Sequence, residues 1–311
     1  MTGGAGAPSA GAPGAGAPSA GAPGAGAGGA NTAGAGGTSA AGASAGGAAG
    51  SGGSGGSAVI PTTKVVMYLP NWSGSFASWA PKIDFSKMTH LDLAFGVIKG
   101  NTNDWSLGAA DADVKTLAAA AHAKNVKVLV SIGGASDDIG IINRYNTEAN
   151  IAPMVANLDA MVKRLDLDGV EVDVERGGNM KSSGNFPKFV SALVATFRPQ
   201  GKLVTAALAQ YIMEAAGNDA TVAAWTNSFD FINLMIYNKN MNTYTNELNW
   251  WKTTRNVPKT KLTWGVIFDG TTSVDMVKQI TAASKADGGV MAWELSLDKS
   301  GAYWKAIQDN I

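Results

Sequence analysis

The 311-residue chain contains no cysteine, so it can form neither disulfides nor thiolate metal sites. Its only two histidines, His90 and His122, are too few and too far apart in sequence for a typical zinc site. No metal and no cofactor is therefore expected. Neither charge is in excess: 24 basic and 24 acidic side chains give a formal net charge of zero, and no basic block stands out. That balance excludes the electrostatic footprint of a nucleic-acid or polybasic membrane-surface binder. No apolar run is long enough to span a bilayer, and the N-terminus lacks the basic and apolar regions of a signal peptide. Most telling, no charged residue of either sign precedes Lys64.

Residues 1–60 are almost wholly Gly, Ala, Ser, Pro and Thr, with the direct repeat GAGAPSAGAP at Gly4–Pro13 and Gly14–Pro23. Such a composition cannot bury enough apolar surface to offset its ordering entropy, so it reads as a disordered tether stiffened by Ala and Pro. Silk-like or collagen-like structure is the rival reading, but the glycine spacing is irregular and holds no triplet. A long uncharged tether suits an exported domain. A secreted or surface-tethered protein is expected, with an export signal of lipoprotein type upstream of Met1.

Residues 61–311 alternate short apolar runs with longer segments of helical period. Eight runs read as strands: Lys64–Pro70, His90–Val97, Val126–Ile132, Asp168–Glu175, Lys202–Leu208, Phe231–Tyr237, Leu262–Phe268 and Gly289–Trp293. Helices are expected over Asp111–Lys124, Asn150–Leu165, Pro187–Phe197, Thr245–Arg255, Ser273–Ala286 and Ala302–Gln308, with the first and fifth units the weakest. Eight such units match a (β/α)8 TIM barrel, whose strands, covered by helices, read as continuous Val/Ile/Leu runs. A doubly wound open sheet is the alternative, but YLPNWSGS after the first strand is no Gly-rich phosphate loop.

The run DGVEVDVE, Asp168–Glu175, puts four carboxylates among valines. On a strand Glu171, Asp173 and Glu175 share one face and Val170, Val172 and Val174 the other. In a barrel the valines meet the helices and the acids point inward, with Glu175 at the C-terminal mouth where barrel enzymes keep their chemistry. Three crowded carboxyls cannot all ionise, so one proton is shared, as a general acid requires. The competing readings are a salt-bridged structural cluster and a Ca²⁺ site. No Lys or Arg on the other strand runs is placed to neutralise three inward charges, and one rigid strand makes a poor Ca²⁺ cage.

DGVEVDVE resembles the DGxDxDxE signature of glycoside hydrolase family 18, the chitinases and endo-β-N-acetylglucosaminidases. SIGG (Ser131–Gly134) resembles the family's SxGG, MIYN (Met235–Asn238) its MxYD or MxYN, GVMAWEL (Gly289–Leu295) its terminal tryptophan-bearing strand, and YLPNW (Tyr68–Trp72) its YxxxW. The resemblance spans about residues 64–308 and implies a retaining, substrate-assisted hydrolase of N-acetylglucosamine polymers. It makes Glu175 the general acid and base, Asp173 the group that orients the substrate acetamide, and Tyr237 a hydrogen-bond donor to the same group. Ser131 and Glu171 lie behind Asp173. Trp293 forms the apolar floor under the sugar. Tyr68, Phe95, Met235, Gln210 and Tyr211 are expected to line the pocket, and Trp72 and Trp79 to extend the platform. For Phe95 and Met235 core packing is an equal reading, and for Trp250 and Trp251 outer-layer packing is.

Two letters depart from the family. Glu171 stands where aspartate is usual, adding a methylene in a packed position and implying a shifted pH profile. Asn238 stands where many members carry aspartate, which implies lower pKa values for nearby acids and a more acidic optimum. About twenty residues separate the seventh strand from the eighth, too few for the small α+β subdomain of processive members. A shallow groove and internal cleavage follow. The expected function is an endo-acting chitinase. The alternatives are an endo-β-N-acetylglucosaminidase acting on N-glycan cores and a non-catalytic chitin-binding lectin. Chitin oligosaccharides are the expected partners, and nothing calls for an oligomer, so a monomer is expected.

Overall fold

The computed structural model describes residues 63–237 and 240–311. The expected tether over residues 1–60 and the supporting residue Asn238 lie outside the described residues. Nine strands form within them: β1 (Lys64–Pro70), β2 (His90–Ile98), β3 (Trp105–Ser106), β4 (Lys127–Gly133), β5 (Gly169–Asp173), β6 (Leu203–Leu208), β7 (Ile232–Leu234), β8 (Leu262–Ile267) and β9 (Gly289–Trp293). All but β3 run parallel in the order β1-β9-β8-β7-β6-β5-β4-β2, and pairing of β1 with β2 closes the ring. With helices around it this is the (β/α)8 barrel read from the sequence. β3 is an addition, a two-residue antiparallel partner of Val97 and Ile98, too short to leave a periodic signal.

The strands read as largely apolar runs because both faces are covered. Outward, Val170, Val172 and Val174 join the layer built with helical residues such as Leu158, Phe189 and Leu193. Inward, Val66, Leu129, Leu203, Phe231 and Met291 fill the barrel axis. Helices follow the expected segments closely, for instance Asp111–His122, Ile151–Arg164 and Val274–Ser284. The weak units are short: a single turn, Phe76–Trp79, follows β1, and two short helices, Gln210–Ala216 and Ala220–Ser228, follow β6. An eight-residue helix, Asp138–Tyr145, follows β4 without having been expected. Among the described residues no helix is long and apolar enough to cross a membrane.

The first acid of DGVEVDVE holds the barrel's N-terminal end together. Asp168 accepts from Lys127 Nζ at 2.7 Å and from the Val128 amide at 2.8 Å, and it lies 2.7 Å from His122 Nε2. These partners keep its carboxyl below the usual range despite burial. Asp168 thus sits just ahead of β5, at the opposite end from Asp173 and Glu175.

Candidate active site

The period of two along β5 turns Glu171 and Asp173 into the barrel, both buried, and brings Glu175, just past the strand's end, to the mouth. SIGG explains how the chain gets past them. Gly133 and Gly134 have φ of 112° and 85°, where a side chain is strained. A Cβ on Gly133 would lie 2.2 Å from the Asp173 carbonyl, and one on Gly134 would strike the Phe95 ring at 2.5 Å. With both bare, the Gly134 amide donates to Asp173 O at 2.8 Å and β4 seats itself against the reactive end of β5.

Below Asp173 lies a polar layer larger than the sequence suggests. Glu171 accepts from Tyr68 Oη and, at 2.6 Å, from Asn233 Nδ2; Thr263 Oγ1 donates to Asn233 Oδ1 at 2.6 Å and so fixes the amide's orientation. Ser131 stands opposite Glu171 in the β4–β5 register and is buried. The fourth acid of the interior is Asp92 on β2, fully buried, with Asn233 Nδ2 3.4 Å from its Oδ2. Burial pushes Asp92 well above the usual carboxyl range, and the Glu171 charge and hydrogen bond push it the same way. Burial also raises Glu171, but the hydrogen bonds from Tyr68 and Asn233, with Ser131 and Asp92 close by, favour its ionised form. The pair therefore holds its shared proton on Asp92 and its charge on Glu171. The added methylene of Glu171 sits within this ring of donors.

Neutral Asp92 has a consequence for stability. Its folded pKa is raised, so the stability it contributes is full below the ordinary carboxylate range and is lost as pH rises through the folded value. Asparagine keeps the shape and a donor to Glu171 without titrating. Asp92→Asn is expected to gain stability relative to the parent as pH rises above the ordinary carboxylate range, by about 1.4 kcal/mol for each pH unit until the folded pKa is reached. Urea unfolding at a series of pH values measures this, and parallel pH curves for the two proteins would refute it.

The site opens as a cleft of about 960 Å³ at the C-terminal ends of the strands. Asp173, Glu175, Tyr237, Trp293, Phe95, Met235, Gln210, Tyr211 and Trp72 all line it. Trp293 ends β9 and stacks on Phe95, with centroids 5.5 Å apart at 16°, while Trp72, largely exposed, tilts against both rings from the rim. Tyr68 corrects the expectation. Its ring is buried 5.4 Å from that of Trp293 and its hydroxyl is committed to Glu171, so it supports the floor instead of lining the cleft. Trp79 is likewise turned away, its indole nitrogen donating to Ser73 O at 3.2 Å and its ring packed on the outer core. Trp250 and Trp251 pack in the outer layer.

Burial, then the charges of Glu175, Glu171 and Asp138, raise Asp173 well above the usual carboxyl range. Glu175 is also raised, by burial and then by Asp138; the Ala135 amide, Arg176 and the Tyr211 hydroxyl pull the other way. Burial and then Asp173 push the Tyr237 phenol up, so it remains a hydrogen-bond donor. Asp173 Oδ1 is buried without a hydrogen-bond partner among the described residues. The arrangement is a pair of carboxyls at a cleft mouth, Asp173 and Glu175, both raised and able to share a proton, with a buried Asp173 oxygen lacking a partner, a phenol donor and an aromatic floor. It can deliver a proton to a bond lying over the floor while holding an N–H donor.

Asp92, Asn233, Thr263 and Asp138 were missed by the sequence reading. Asp92 and Asn233 did leave a signal, a lone polar residue at an inward position of an apolar strand.

The family model for glycosyl hydrolases family 18 matches residues 64–273, more than half of the chain. No curated protein sequence gives a significant match. Solved structures share the barrel. A family 18 chitinase from the chitin utilization locus of Flavobacterium johnsoniae is 23% identical with a TM-score of 0.65, over 80% of this chain and 93% of that one. A chitinase from Bacteroides thetaiotaomicron is 18% identical with a TM-score of 0.67, over 80% and 95%. A family 18 chitinase from Cycas revoluta, solved with (GlcNAc)3, is 18% identical with a TM-score of 0.67, over 80% and 99%. The likeness in fold, the match over DGVEVDVE and the acids it gathers at the barrel mouth agree: this chain belongs to glycosyl hydrolases family 18.

Proposed function

We propose that this chain is an endo-acting chitinase that cleaves β-1,4-linked N-acetylglucosamine polymers with retention, using the substrate's own acetamide as nucleophile. The observation that carries this reading is Asp173 Oδ1, a buried acceptor without a partner, set in the cleft with Glu175, Tyr237 and the Trp293 floor. An N-acetyl group supplies the N–H that this acceptor needs, and a sugar face packs on the indole.

In the first step Glu175 transfers its proton to the glycosidic oxygen. The bond from that oxygen to the anomeric carbon breaks with its electrons on the leaving sugar, and the acetamide oxygen bonds to the anomeric carbon. The resulting oxazolinium ion carries positive charge beside Asp173, whose carboxylate offsets it, while Tyr237 donates to the acetamide. In the second step water attacks the anomeric carbon, gives a proton to Glu175, and the acetamide oxygen leaves. Glu175 is again protonated.

Internal cleavage is supported by the short passage from β8 to β9, which holds the helix Val274–Ser284 and no inserted subdomain. The rim residues Trp72 and Tyr211 are both 62% exposed, a low wall over which a long chain can lie. The chitinases with the same barrel, one of them solved with (GlcNAc)3, support the substrate class. The charge-free N-terminal composition supports a secreted or surface-tethered enzyme.

Products from chitin oligomers of defined length, with the first-formed anomer followed by NMR, test the reading. Internal cuts giving β-anomers are expected. Release of glycans from a high-mannose glycoprotein without oligomer cleavage would assign the endo-β-N-acetylglucosaminidase reading, and binding without turnover the lectin. Trp293→Ala removes the sugar platform and is expected to raise KM about tenfold, the worth of one aromatic face. An unchanged KM would move the sugar away from this floor.

A further inference from the structure

Asp138 belongs to none of the sequence motifs, yet its carboxylate is fully buried and committed to the reactive segment. Its Oδ2 accepts from the Glu175 amide at 3.0 Å and its Oδ1 from Arg176 Nε at 2.9 Å. Arg176, half in solvent, also reaches Ala135 O at 3.5 Å. The peptide unit that carries Glu175 is thus gripped from behind by one buried anion. A neutral acceptor could make the same two bonds, whereas a buried carboxylate costs desolvation and projects charge onto whatever lies near it. What lies near it is Glu175, with Asp173 beside that.

We propose that Asp138 and Arg176 are a positioning pair for Glu175: Asp138 anchors its backbone and presents a negative charge to its carboxyl, and Arg176 sets how much of that charge Glu175 feels. The inference rests on the reading of Glu175 as the proton donor. Asp138 keeps the proton on Glu175 until substrate arrives, and Arg176 keeps the proton transferable. The directions in which the two groups move Glu175 agree with this, Asp138 up and Arg176 down. The other groups facing Glu175 are Asp173 on its own segment, the Ala135 amide after β4, Tyr211 after β6 and Tyr237 after β7. Asp138 is faced in turn by Tyr145 on its own helix and by Asp173 on β5.

Two substitutions with opposite expected signs test the pair. Asp138→Asn keeps a side-chain acceptor for the Glu175 amide and removes the charge; Arg176→Gln removes the countercharge at a half-exposed position that can tolerate it. In protein labelled with ¹³C at glutamate carboxyls, the Glu175 signal is assigned by its loss in Glu175→Gln. Asp138→Asn should move that titration to lower pH and Arg176→Gln to higher pH. The basic limb of kcat/KM on chitin oligomers should move with it in each case. Asp138→Ala, which also frees the backbone, should lower kcat further, on the order of tenfold below Asp138→Asn. Shifts of the same sign, or a Glu175 titration that moves in neither variant, would overturn the proposal and leave Asp138 a structural tie. If the parent cleaves no oligomer, the chitinase reading fails while the carboxyl titration still decides the role of the pair.

Discussion

Glu175→Gln should lower kcat on chitin oligomers about a thousandfold while leaving KM close to that of the parent, since a positioned general acid contributes on the order of 10²–10⁴. Glutamine reproduces the shape of the side chain and can still hydrogen-bond in the cleft, so substrate binding survives. It has no proton of sufficient acidity for the glycosidic oxygen and cannot accept one from water, so both steps fail. The parent's kcat/KM should fall on the basic side at a pH above the ordinary carboxylate range, because burial and Asp138 raise Glu175. That limb should vanish in the variant. A substrate with a good leaving group, such as a 4-nitrophenyl glycoside, needs little protonation and should recover part of the first step only. Turnover of chitin oligomers at the parental rate by Glu175→Gln would remove the proposed mechanism.

The barrel was legible because each of its eight principal strands is covered on both faces and therefore reads as an apolar run. Gly289–Trp293 was read to the residue, and Phe231–Tyr237 too long, since β7 stops at Leu234 and Met235 and Tyr237 extend past it into the cleft. The acids of DGVEVDVE were legible for a different reason, that charge at alternate positions of a buried strand has few uses. The same reasoning reaches Asp92 and Asn233, which stand at inward positions of their own strands; one polar letter among apolar ones is simply a weaker signal than three. Tyr68 was misplaced because its position at the end of β1 does not say whether its hydroxyl meets substrate or turns down to Glu171. Asp138 was beyond reach. It enters the site only because Gly133 and Gly134 bend the chain through positive φ after β4, and hydrophobic periodicity does not describe such a path.

These gaps have a common physical origin. Side chains on the strands are aimed by the pleat, whose period is fixed, whereas those that tune the acids come from neighbouring strands or loops whose register is set by closure of the barrel. Glu171 illustrates the point. As a letter it is a departure from its family, with an extra methylene in a crowded layer. In place, its oxygens meet Tyr68 and Asn233, and a fourth carboxyl, Asp92, carries the proton that Glu171 gives up. The shared proton that the sequence assigned to the column of three is thus split between two pairs: Asp92 with Glu171 below, Asp173 with Glu175 above.

For the upper pair the decisive substitution is Asp173→Asn, expected to lower kcat on the order of a hundredfold, as loss of one preorganised electrostatic partner does. Asparagine fits the site and retains an acceptor for the acetamide N–H, so orientation is largely kept. What is lost is the negative charge that offsets the oxazolinium ion. Burial, Glu175 and Glu171 raise Asp173, so the parent becomes inactive at low pH as the Asp173–Glu175 pair fills with two protons and no carboxylate remains. Asparagine cannot titrate, so the acid limb of kcat/KM should disappear along with most of the rate. Added azide distinguishes the chemistry. If Asp173 bonded covalently to the sugar, azide would replace it in the variant and yield a glycosyl azide of inverted configuration with recovered rate. With the acetamide as nucleophile, the variant still contains its nucleophile and azide should bring no recovery. Rescue by azide would therefore transfer the nucleophilic role from the substrate to Asp173 and leave only the proton transfers of Glu175 unchanged.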